Sequence, residues 1–277
     1  MTEIRKILPL FVLLLIGLSA HAVTWTTLDV PGSTSTEPLG MNDAGDVVGS
    51  YSNGHRSIGF LYSEGIFTKI RVPGAVETTP YGINDNGQIA GVYKSDDSKV
   101  HGFFFDGQTF TTLDFPGAAF TDARGINNAV TIAGTYVDAS GQNHGFSWNN
   151  GTFTTLDKIP PSSQTVIDSI NNRGDIVGVY LDAGLDFRGF ILSADGALRT
   201  LKFLGVQNMA INDRSTVVGT FFDSSNGFKY RLKTKALEEI HFPHSAGTYC
   251  FGINNTRQIV GFYQTGRYHL HGYIRTP

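Results

Sequence analysis

Short runs of β-branched and aromatic residues alternate with turn residues along almost the whole chain, and residues 81–117 show this pattern most clearly. The pairs Asn86-Gly87 and Asp106-Gly107 separate apolar runs, and Pro116-Gly117 follows the last of them. Such runs are typical of β-strands, and Asn-Gly and Asp-Gly are typical of tight turns between strands. The segment therefore predicts four strands, at residues 81–84, 88–93, 100–105 and 109–115.

The four-strand pattern recurs along the chain. A small residue, an apolar residue and an asparagine mark the first strand in six places, 41 to 44 residues apart, ending at Asn42, Asn84, Asn127, Asn171, Asn212 and Asn254. The second strand repeats as two apolar residues and a glycine, and the third as a glycine and an aromatic residue. A period of about 40–45 residues that holds four strands is the signature of a β-propeller blade.

The sixth repeat lacks its fourth strand, because the chain ends soon after Tyr273. The sequence of a fourth strand occurs instead at residues 24–30. Pairing of this strand with the last repeat would close a ring and remove two exposed sheet ends. We therefore expect an all-β fold, a six-bladed β-propeller with four-stranded blades closed by the N-terminal strand, forming a single domain over residues 23–277.

The first 22 residues have the features of a secretory signal peptide. Arg5 and Lys6 precede the apolar run 7–18, and Ala20-His21-Ala22 is a typical cleavage site. The apolar run is shorter than the roughly 20 residues that a membrane-spanning helix needs. We expect cleavage after Ala22, no transmembrane segment in the mature chain, and a secreted location, extracellular or periplasmic; a retained anchor is the alternative.

Charge and cysteine content narrow the classes of partner. Loss of Glu3, Arg5 and Lys6 with the signal peptide leaves 19 basic and 23 acidic residues, a net charge of −4. No basic patch of the kind that binds nucleic acid is present, so we expect no nucleic-acid partner. Cys250 is the only cysteine, which excludes an internal disulfide and predicts a small buried apolar residue, with a reactive thiol as the alternative.

The repeated glycines and asparagines are expected to be structural. Each second-strand glycine, such as Gly91, has an aromatic residue two positions on, so we expect a ring of one blade to cover a glycine of the next. The six asparagines are expected to hydrogen-bond the turn backbone rather than to converge on a ligand. Val130 replaces the turn glycine in the third repeat, where a positive φ is costly for valine, so we expect a different turn there.

The third-strand sequences His101-Gly-Phe, His144-Gly-Phe and His271-Gly-Tyr resemble, with the repeats around them, the bacterial extracellular HAF-repeat family. The resemblance covers nearly all of the mature chain, and other residues replace the histidine at Ile58, Arg188 and Asn226. It implies an exported, propeller-like array, and it brings no established activity or catalytic residues.

The sequence offers little evidence for a metal or cofactor. The three histidines occupy equivalent places in different repeats, so we expect hydrogen bonding at the blade surface rather than a shared ion. Calcium sites need roughly six or more oxygen ligands, and the acidic loops lack that spacing, so solvated turns are expected there, with a structural Ca²⁺ as the alternative; these loops contain Asp97, Asp138, Asp182 and Asp223. No familiar catalytic motif is present, and we expect no cofactor and no metal.

The first strands differ most at the positions one and three residues before the repeated signature. If these strands lie innermost, their side chains approach the mouth of the central channel and form a funnel that gathers residues distant in sequence. The candidate ligand-binding residues are Glu37, Tyr81, Asp122, Arg124, Asp168 and Tyr249. Arg124 would hold an anionic group, with Asp168 pairing with it; the alternative is that these charges only solvate the channel.

Three functions fit this sequence. The first is a secreted binding or scaffold propeller, expected to be a monomer, that recognises a glycan, peptide or cell-envelope ligand through one face or the channel mouth. The second is a hydrolase or lyase that uses Asp and Glu as acid–base residues at the channel mouth. The third is a passive structural protein of the cell surface. We expect a binding protein rather than an enzyme.

Overall fold

The computed structural model describes residues 22–156, 159, 165–266 and 269–277. The predicted signal peptide, residues 1–22, therefore lies outside the described residues except for Ala22. The described chain forms 24 β-strands, and nowhere in these ranges is there a helix of the length and apolarity that crossing a membrane requires.

The strands follow the sequence repeat. We call the repeats units 1 to 6, with four strands each; β1 (Thr24–Thr27) belongs to unit 6. The remaining strands are, for unit 1, β2 (Ser35–Met41), β3 (Val47–Ser52), β4 (Ser57–Ser63) and β5 (Ile66–Ile70); for unit 2, β6 (Glu77–Ile83), β7 (Ile89–Lys94), β8 (Val100–Phe105) and β9 (Phe110–Leu113); for unit 3, β10 (Phe120–Ile126), β11 (Ile132–Val137), β12 (Asn143–Asn149) and β13 (Thr152–Thr155); for unit 4, β14 (Val166–Ile170), β15 (Ile176–Leu181), β16 (Phe187–Leu192) and β17 (Leu198–Leu204); for unit 5, β18 (Val206–Ile211), β19 (Thr216–Phe221), β20 (Gly227–Arg231) and β21 (Ala236–Ile240); and for unit 6, β22 (Gly247–Ile253), β23 (Ile259–Thr265) and β24 (His269–Thr276).

The chain has an all-β, propeller-like fold with four-stranded blades. Units 2, 3, 4 and 5 are separate four-stranded antiparallel sheets. Units 1 and 6 belong to one eight-stranded sheet, in which a single parallel pair, Ser35 with Leu270, joins β2 to β24. Within each unit the strands alternate in direction. The turns after first and third strands therefore lie on one face of the ring, and the loops after second strands lie on the other, which we call the loop face.

The predicted pairing of the N-terminal strand with the last repeat is present. Strand β1 runs antiparallel to β24, from Thr24 opposite Thr276 to Thr27 opposite Tyr273. The Trp25 ring packs edge-on against the rings of Phe242 and Tyr273, with centroids 5.1 and 5.0 Å away. The N-terminal strand thus completes the four strands of unit 6.

The core consists of layers between neighbouring units, and the third-strand aromatic residue is fully buried in every unit. This explains the repeated glycine-aromatic signature, whose rings are Phe60, Phe103, Phe146, Phe190, Phe228 and Tyr273. Cys250 is buried as predicted, its Sγ lies 3.1 Å from the Tyr273 hydroxyl, and burial raises the pKa of its thiol to about 12.

The prediction that a ring of the neighbouring blade covers each second-strand glycine was wrong. A Cβ on Gly91 would collide with the Thr79 carbonyl and would lie 2.7 Å from the Phe103 ring, and both residues belong to the same unit. Contact between units occurs instead at first- and third-strand glycines; a Cβ on Gly102 would lie 3.2 Å from Ala123 of the next unit. Second-strand glycines therefore make room within a blade, and the other two sets bring blades together.

The turn after β10 also differs from expectation. Val130 has a φ of 58°, and its N–H donates to the Asn127 carbonyl at 3.0 Å, as the turn glycines do elsewhere. The repeat thus keeps one turn type, with valine in the left-handed region where glycine would be unstrained. The prediction of a different turn was wrong because the bonds around the turn hold its geometry despite the residue.

Candidate functional site

The repeated asparagines form a closed set of hydrogen bonds around the ring axis. Each Nδ2 donates to the backbone carbonyl of the corresponding asparagine in the next unit at 2.9–3.3 Å, and the last donates to the first. Each Oδ1 accepts from a backbone N–H of its own turn at 2.9–3.0 Å. We call this set the asparagine circuit; it consists of Asn42, Asn84, Asn127, Asn171, Asn212 and Asn254.

The circuit confirms one prediction and adds a feature that was not expected. The asparagines bond their turns, as expected, and five of the six also line a small pocket of about 70 Å³ on the axis. The residues that follow them form a second closed set, in which each backbone N–H donates to the next side-chain Oδ1 at 2.7–2.9 Å. At this end of the channel, the backbone N–H groups and the side-chain oxygens of these residues therefore bond one another from unit to unit, and the set returns from unit 6 to unit 1.

At the opposite end of the channel, a β-bulge selects the side chain that each first strand directs to the axis. The pairing of β10 with β11 skips Arg124, that of β14 with β15 skips Asp168, and that of β6 with β7 skips Tyr81. Bulges bend a strand and re-aim the extra residue. All three of these residues line the channel. Of the two positions at which the repeats differ, the one just before the signature is therefore the bulge position in these units.

Arg124 is the centre of a cluster of ionisable side chains on the loop face. Its Nε donates to Asp122 Oδ2 at 2.8 Å and its Nη1 donates to Asp168 Oδ1 at 3.1 Å. Its guanidinium carbon lies 4.8 Å from the centroid of the Tyr81 ring. The three ion-paired side chains are 22%, 9% and 5% exposed for arginine, Asp122 and Asp168 respectively. We call these residues, together with Glu37, the mouth cluster.

Burial shifts the ionisation of the mouth cluster. Desolvation raises the pKa of Asp168 to about 6, although Arg124 and the Met209 N–H act to lower it. Burial likewise raises the pKa values of Glu37 and Tyr81. For Arg124, burial acts to lower the pKa, but the charges around it outweigh that effect and raise it. The arginine is thus held as a cation, while Asp168, Glu37 and Tyr81 ionise less readily than they would in water.

The mouth cluster is not built to attract a strong anion. Asp122 and Asp168 both bind the only guanidinium of the cluster, and Glu37 adds a third carboxyl group. Asp122 Oδ1 is buried and has no hydrogen-bond partner among the described residues. The expected pairing of Arg124 with Asp168 is confirmed, but the second carboxylate leaves the arginine little capacity for an anionic ligand.

A cleft of about 390 Å³ opens from the mouth cluster between units 4 and 5. Arg124 and Asp168 lie at one end, and Gln207 and Asn208 contribute amide groups. The other lining residues are mainly apolar: Val166, Val179, Phe187, Val206 and Phe222, with Asn143 beside them. Clefts with apolar walls and a few polar groups are the usual form of small-ligand sites.

Two aromatic residues border this cleft. Phe222 follows β19 in a loop and is 61% exposed, and its ring centroid lies 6.5 Å from that of Phe187 at the start of β16. Neither residue was predicted from the sequence, nor were the valines of the cleft walls. Phe222 could have been noticed as an apolar residue in an otherwise polar loop, but its neighbours become apparent only once units 4 and 5 are placed side by side.

Tyr249, the remaining predicted site residue, is placed apart from the cluster. Its ring stacks on Phe262 of the same unit at 4.7 Å between centroids, and no hydrogen bond, ion pair or ring contact joins it to the mouth cluster within the described ranges. Phe251, the bulge residue of β22, lines the channel in its place. The other five predicted residues are brought together.

The repeated histidines have the structural role that was expected. His101 Nδ1 lies 2.9 Å from Asp114 Oδ1 and His271 Nδ1 lies 2.7 Å from Asp29 Oδ2, and His144 Nε2 lies 3.0 Å from Asp138 Oδ2. Each histidine ring also stacks on the second-strand tyrosine of its unit at 5.0–5.2 Å between centroids. No group of three or more His, Cys, Asp or Glu side chains placed to hold a metal ion occurs in the described part of the chain.

Solved structures similar to this chain are β-propellers of several kinds. Virginiamycin B lyase from Staphylococcus aureus matches 92% of this chain and 100% of its own at 11% identity and a TM-score of 0.55. The SapL1 lectin in complex with alpha methyl fucoside matches 87% and 93% at 11% identity and a TM-score of 0.57. TolB from Acinetobacter baumannii matches 88% and 55% at 12% identity and a TM-score of 0.58. No protein-family model matches the chain, and no curated protein matches its sequence. At these identities the likeness shows the fold alone.

Proposed function

We propose that this chain is a secreted binding protein that recognises a glycan or peptide of the extracellular space or cell envelope at the loop face. One observation carries the proposal: an apolar cleft of about 390 Å³ ends at the buried charges of the mouth cluster. Apolar walls provide the contact area, and a few fixed polar groups provide orientation and specificity.

The proposed architecture is a six-bladed ring in which the eight-stranded sheet comprises two blades. Its support is the asparagine circuit, which passes through six equivalent turns and returns from Asn254 to Asn42. Among the described residues, one parallel residue pair joins units 1 and 6 in that sheet, whereas each unit has a full antiparallel ladder of its own. Membership of the HAF-repeat family remains a proposal on the repeat sequences, and secretion remains one on residues 1–22.

A neutral or amine-bearing glycan is the ligand class that best fits the cleft. Sugar rings combine apolar C–H faces with hydroxyl groups, and the cleft offers Phe187 and Phe222 beside Gln207 and Asn208. Because the carboxyl groups of the mouth cluster outnumber its single guanidinium, an acidic sugar would meet net repulsion there. The similar SapL1 lectin, seen with alpha methyl fucoside, makes glycans the first class to test.

The test is a glycan and peptide array probed with residues 23–277, followed by affinity measurements on the ligands found. Phe222→Ala should weaken binding by about tenfold or more, because a ligand in the cleft would cover the exposed ring, and aromatic side chains bury a large apolar area. Leu237→Ala removes an exposed apolar side chain in β21, outside the lining of the cleft, and serves as the matched control. Equal affinities for the two variants would place the ligand elsewhere, and an empty array would favour a passive structural protein.

One observation favours the hydrolase or lyase as a second candidate. Asp168, whose pKa is about 6, lies with Asp122 around one guanidinium, and a carboxyl group with a raised pKa in a cleft can act as a general acid or base. Incubation of each array ligand with the protein, followed by product analysis, tests this. Turnover that Asp168→Asn removes while binding persists would establish catalysis; intact ligands would leave binding alone.

A further inference from the structure

Two units share a histidine–aspartate pair at their outer loop-face edge. In unit 2, His101 on β8 binds Asp114, which follows β9, and in unit 6 His271 on β24 binds Asp29, which follows β1. The two pairs occupy equivalent positions. Gly102, after the histidine, lies opposite Leu113, before the aspartate. In unit 6, the Leu28 N–H likewise donates to the Gly272 carbonyl at 2.8 Å. The pair joins the third and fourth strands of each unit.

Unit 1 carries a different pair at the same place. Gly59 lies opposite Ile70, as Gly102 lies opposite Leu113 in unit 2. The residue before Gly59 is Ile58 and the residue after Ile70 is Arg71. An apolar side chain and a cation therefore replace the histidine and its carboxylate, so this edge lacks the pair and carries the opposite charge at the aspartate position.

Ile58 and Arg71 line a pocket of about 240 Å³ between units 1 and 2. Three cationic side chains line it, Arg56, Lys69 and Arg71, and no carboxylate does. Within the described residues, no carboxylate oxygen lies within 4.0 Å of the nitrogen atoms of these three side chains, whereas most of the mouth-cluster charge is internally paired. The pocket is thus a site of uncompensated positive charge.

The pocket also has a fixed donor and an apolar wall. Arg71 Nη2 donates to the carbonyl of the buried Ala75 at 3.0 Å, which holds the guanidinium at the pocket while its other N–H groups remain available. Ile58, Ile70 and Val76 supply apolar surface. A planar guanidinium held in place is well suited to binding an oxyanion through two parallel hydrogen bonds.

We propose that this pocket is a second binding site, which takes a ligand of about one sugar or amino-acid residue that carries a carboxylate, sulfate or phosphate group. The oxyanion would contact Arg71 with Arg56 and Lys69 around it, and the body of the ligand would cover the isoleucines. The volume is below the roughly 300–1,000 Å³ of sites for larger molecules, which limits the ligand to a small group or one residue of a polymer. The pocket shares no lining residue with the cleft of the mouth cluster.

Isothermal titration with four small probes and inorganic phosphate tests the proposal. The probes are glucuronate, a glucose sulfate ester, a glucose phosphate ester and neutral glucose. At least one sugar anion should bind, more weakly as salt rises because the three cations are exposed to solvent, and glucose should not. The three anionic probes distinguish the sources of the oxyanion. Binding of glucose as strong as that of the sugar anions, or binding of inorganic phosphate alone, would overturn the proposal.

Two variants locate the binding. Arg71→Ala should weaken binding of the sugar anion by about tenfold or more, as expected for loss of hydrogen bonds to a charged group. The double variant Ile58→His/Arg71→Asp restores the pair that unit 2 already tolerates, so it should fold, and it should abolish binding. Lys202→Ala, which removes an exposed cation of unit 4, is the control and should bind as the wild type does. Wild-type affinity in the double variant would show that the anion binds elsewhere.

Discussion

The raised pKa of Asp168 makes the stability of the fold depend on pH in a direction that can be measured. Its carboxyl group titrates near 6 in the folded chain, against 3.8 for an unperturbed aspartate. Each unit of that difference corresponds to about 1.4 kcal/mol, so the group accounts for a change of about 3 kcal/mol. The side chain is 5% exposed, so solvent screening reduces this figure little.

The sign follows from the direction of the shift. A carboxyl group whose pKa is higher in the folded chain binds its proton more tightly there. Its contribution to stability is therefore fully present below the unfolded pKa and is lost as pH rises through the folded one. Between about pH 4 and pH 6 the wild type should lose stability from this group, whereas Asp168→Asn, which cannot ionise, should not.

The assay is denaturant unfolding of wild type and Asp168→Asn at several pH values from 4 to 7. The difference in unfolding free energy between them should change by about 2 kcal/mol in favour of the variant as pH rises across this range, because part of the full effect already lies below pH 4. Asparagine has one acceptor oxygen where aspartate has two, which bind Arg124 and the Met209 N–H. The loss of one acceptor changes the unfolding free energy of the variant by the same amount at every pH. Only the change with pH is therefore diagnostic. Asp96→Asn, at an exposed loop position, should run parallel to wild type, and a parallel profile for Asp168→Asn would refute the reasoning.

Three further predictions concern stability. Arg124→Ala should lower the unfolding free energy by about 3–5 kcal/mol, because it leaves two buried carboxylates without their shared cation; the exposed Arg199→Ala is its control, and equal effects would contradict the cluster. Deletion of residues 23–32 should lower the melting temperature strongly and produce aggregates by light scattering, because it exposes the edge of β24; melting within a few degrees of the intact protein would mean that β1 is dispensable. Gly91→Ala should cost about 1–3 kcal/mol in a denaturant titration and Gly184→Ala less, since only the former meets backbone and a ring; equal costs would exclude a packing role for the second-strand glycines.

The sequence was sufficient for the strands, the four-strand repeat and the return of the N-terminal strand to the last unit. These features depend on local periodicity and on turn residues, and both recur in every repeat. The five clustered site residues were found because they break a repeated pattern at equivalent positions. Tyr249 satisfied the same criterion, but its ring stacks on Phe262 of its own unit, and Phe251, the bulge residue of β22, lines the channel instead.

The features that were not predicted depend on contacts between residues that lie far apart in the sequence. The asparagines converge because six turns meet at one axis, which no single repeat indicates. The pairing of Arg124 with two carboxylates requires the bulges of β10 and β14 to aim side chains towards each other. Because two carboxylates already bind Arg124, we expect this arginine to stabilise the fold and an anion to bind poorly at that end of the channel.

The asparagine circuit has a consequence for the modularity of the chain. In each unit the asparagine Nδ2 donates to the asparagine carbonyl of the next unit, so the units are equivalent in the circuit. A chain with its units in another order should therefore still form the asparagine circuit. On the loop face the same reordering would scatter Tyr81, Arg124 and Asp168, which meet only because their units are consecutive. The order of the units along the chain, rather than any single unit, therefore decides which side chains meet in the mouth cluster.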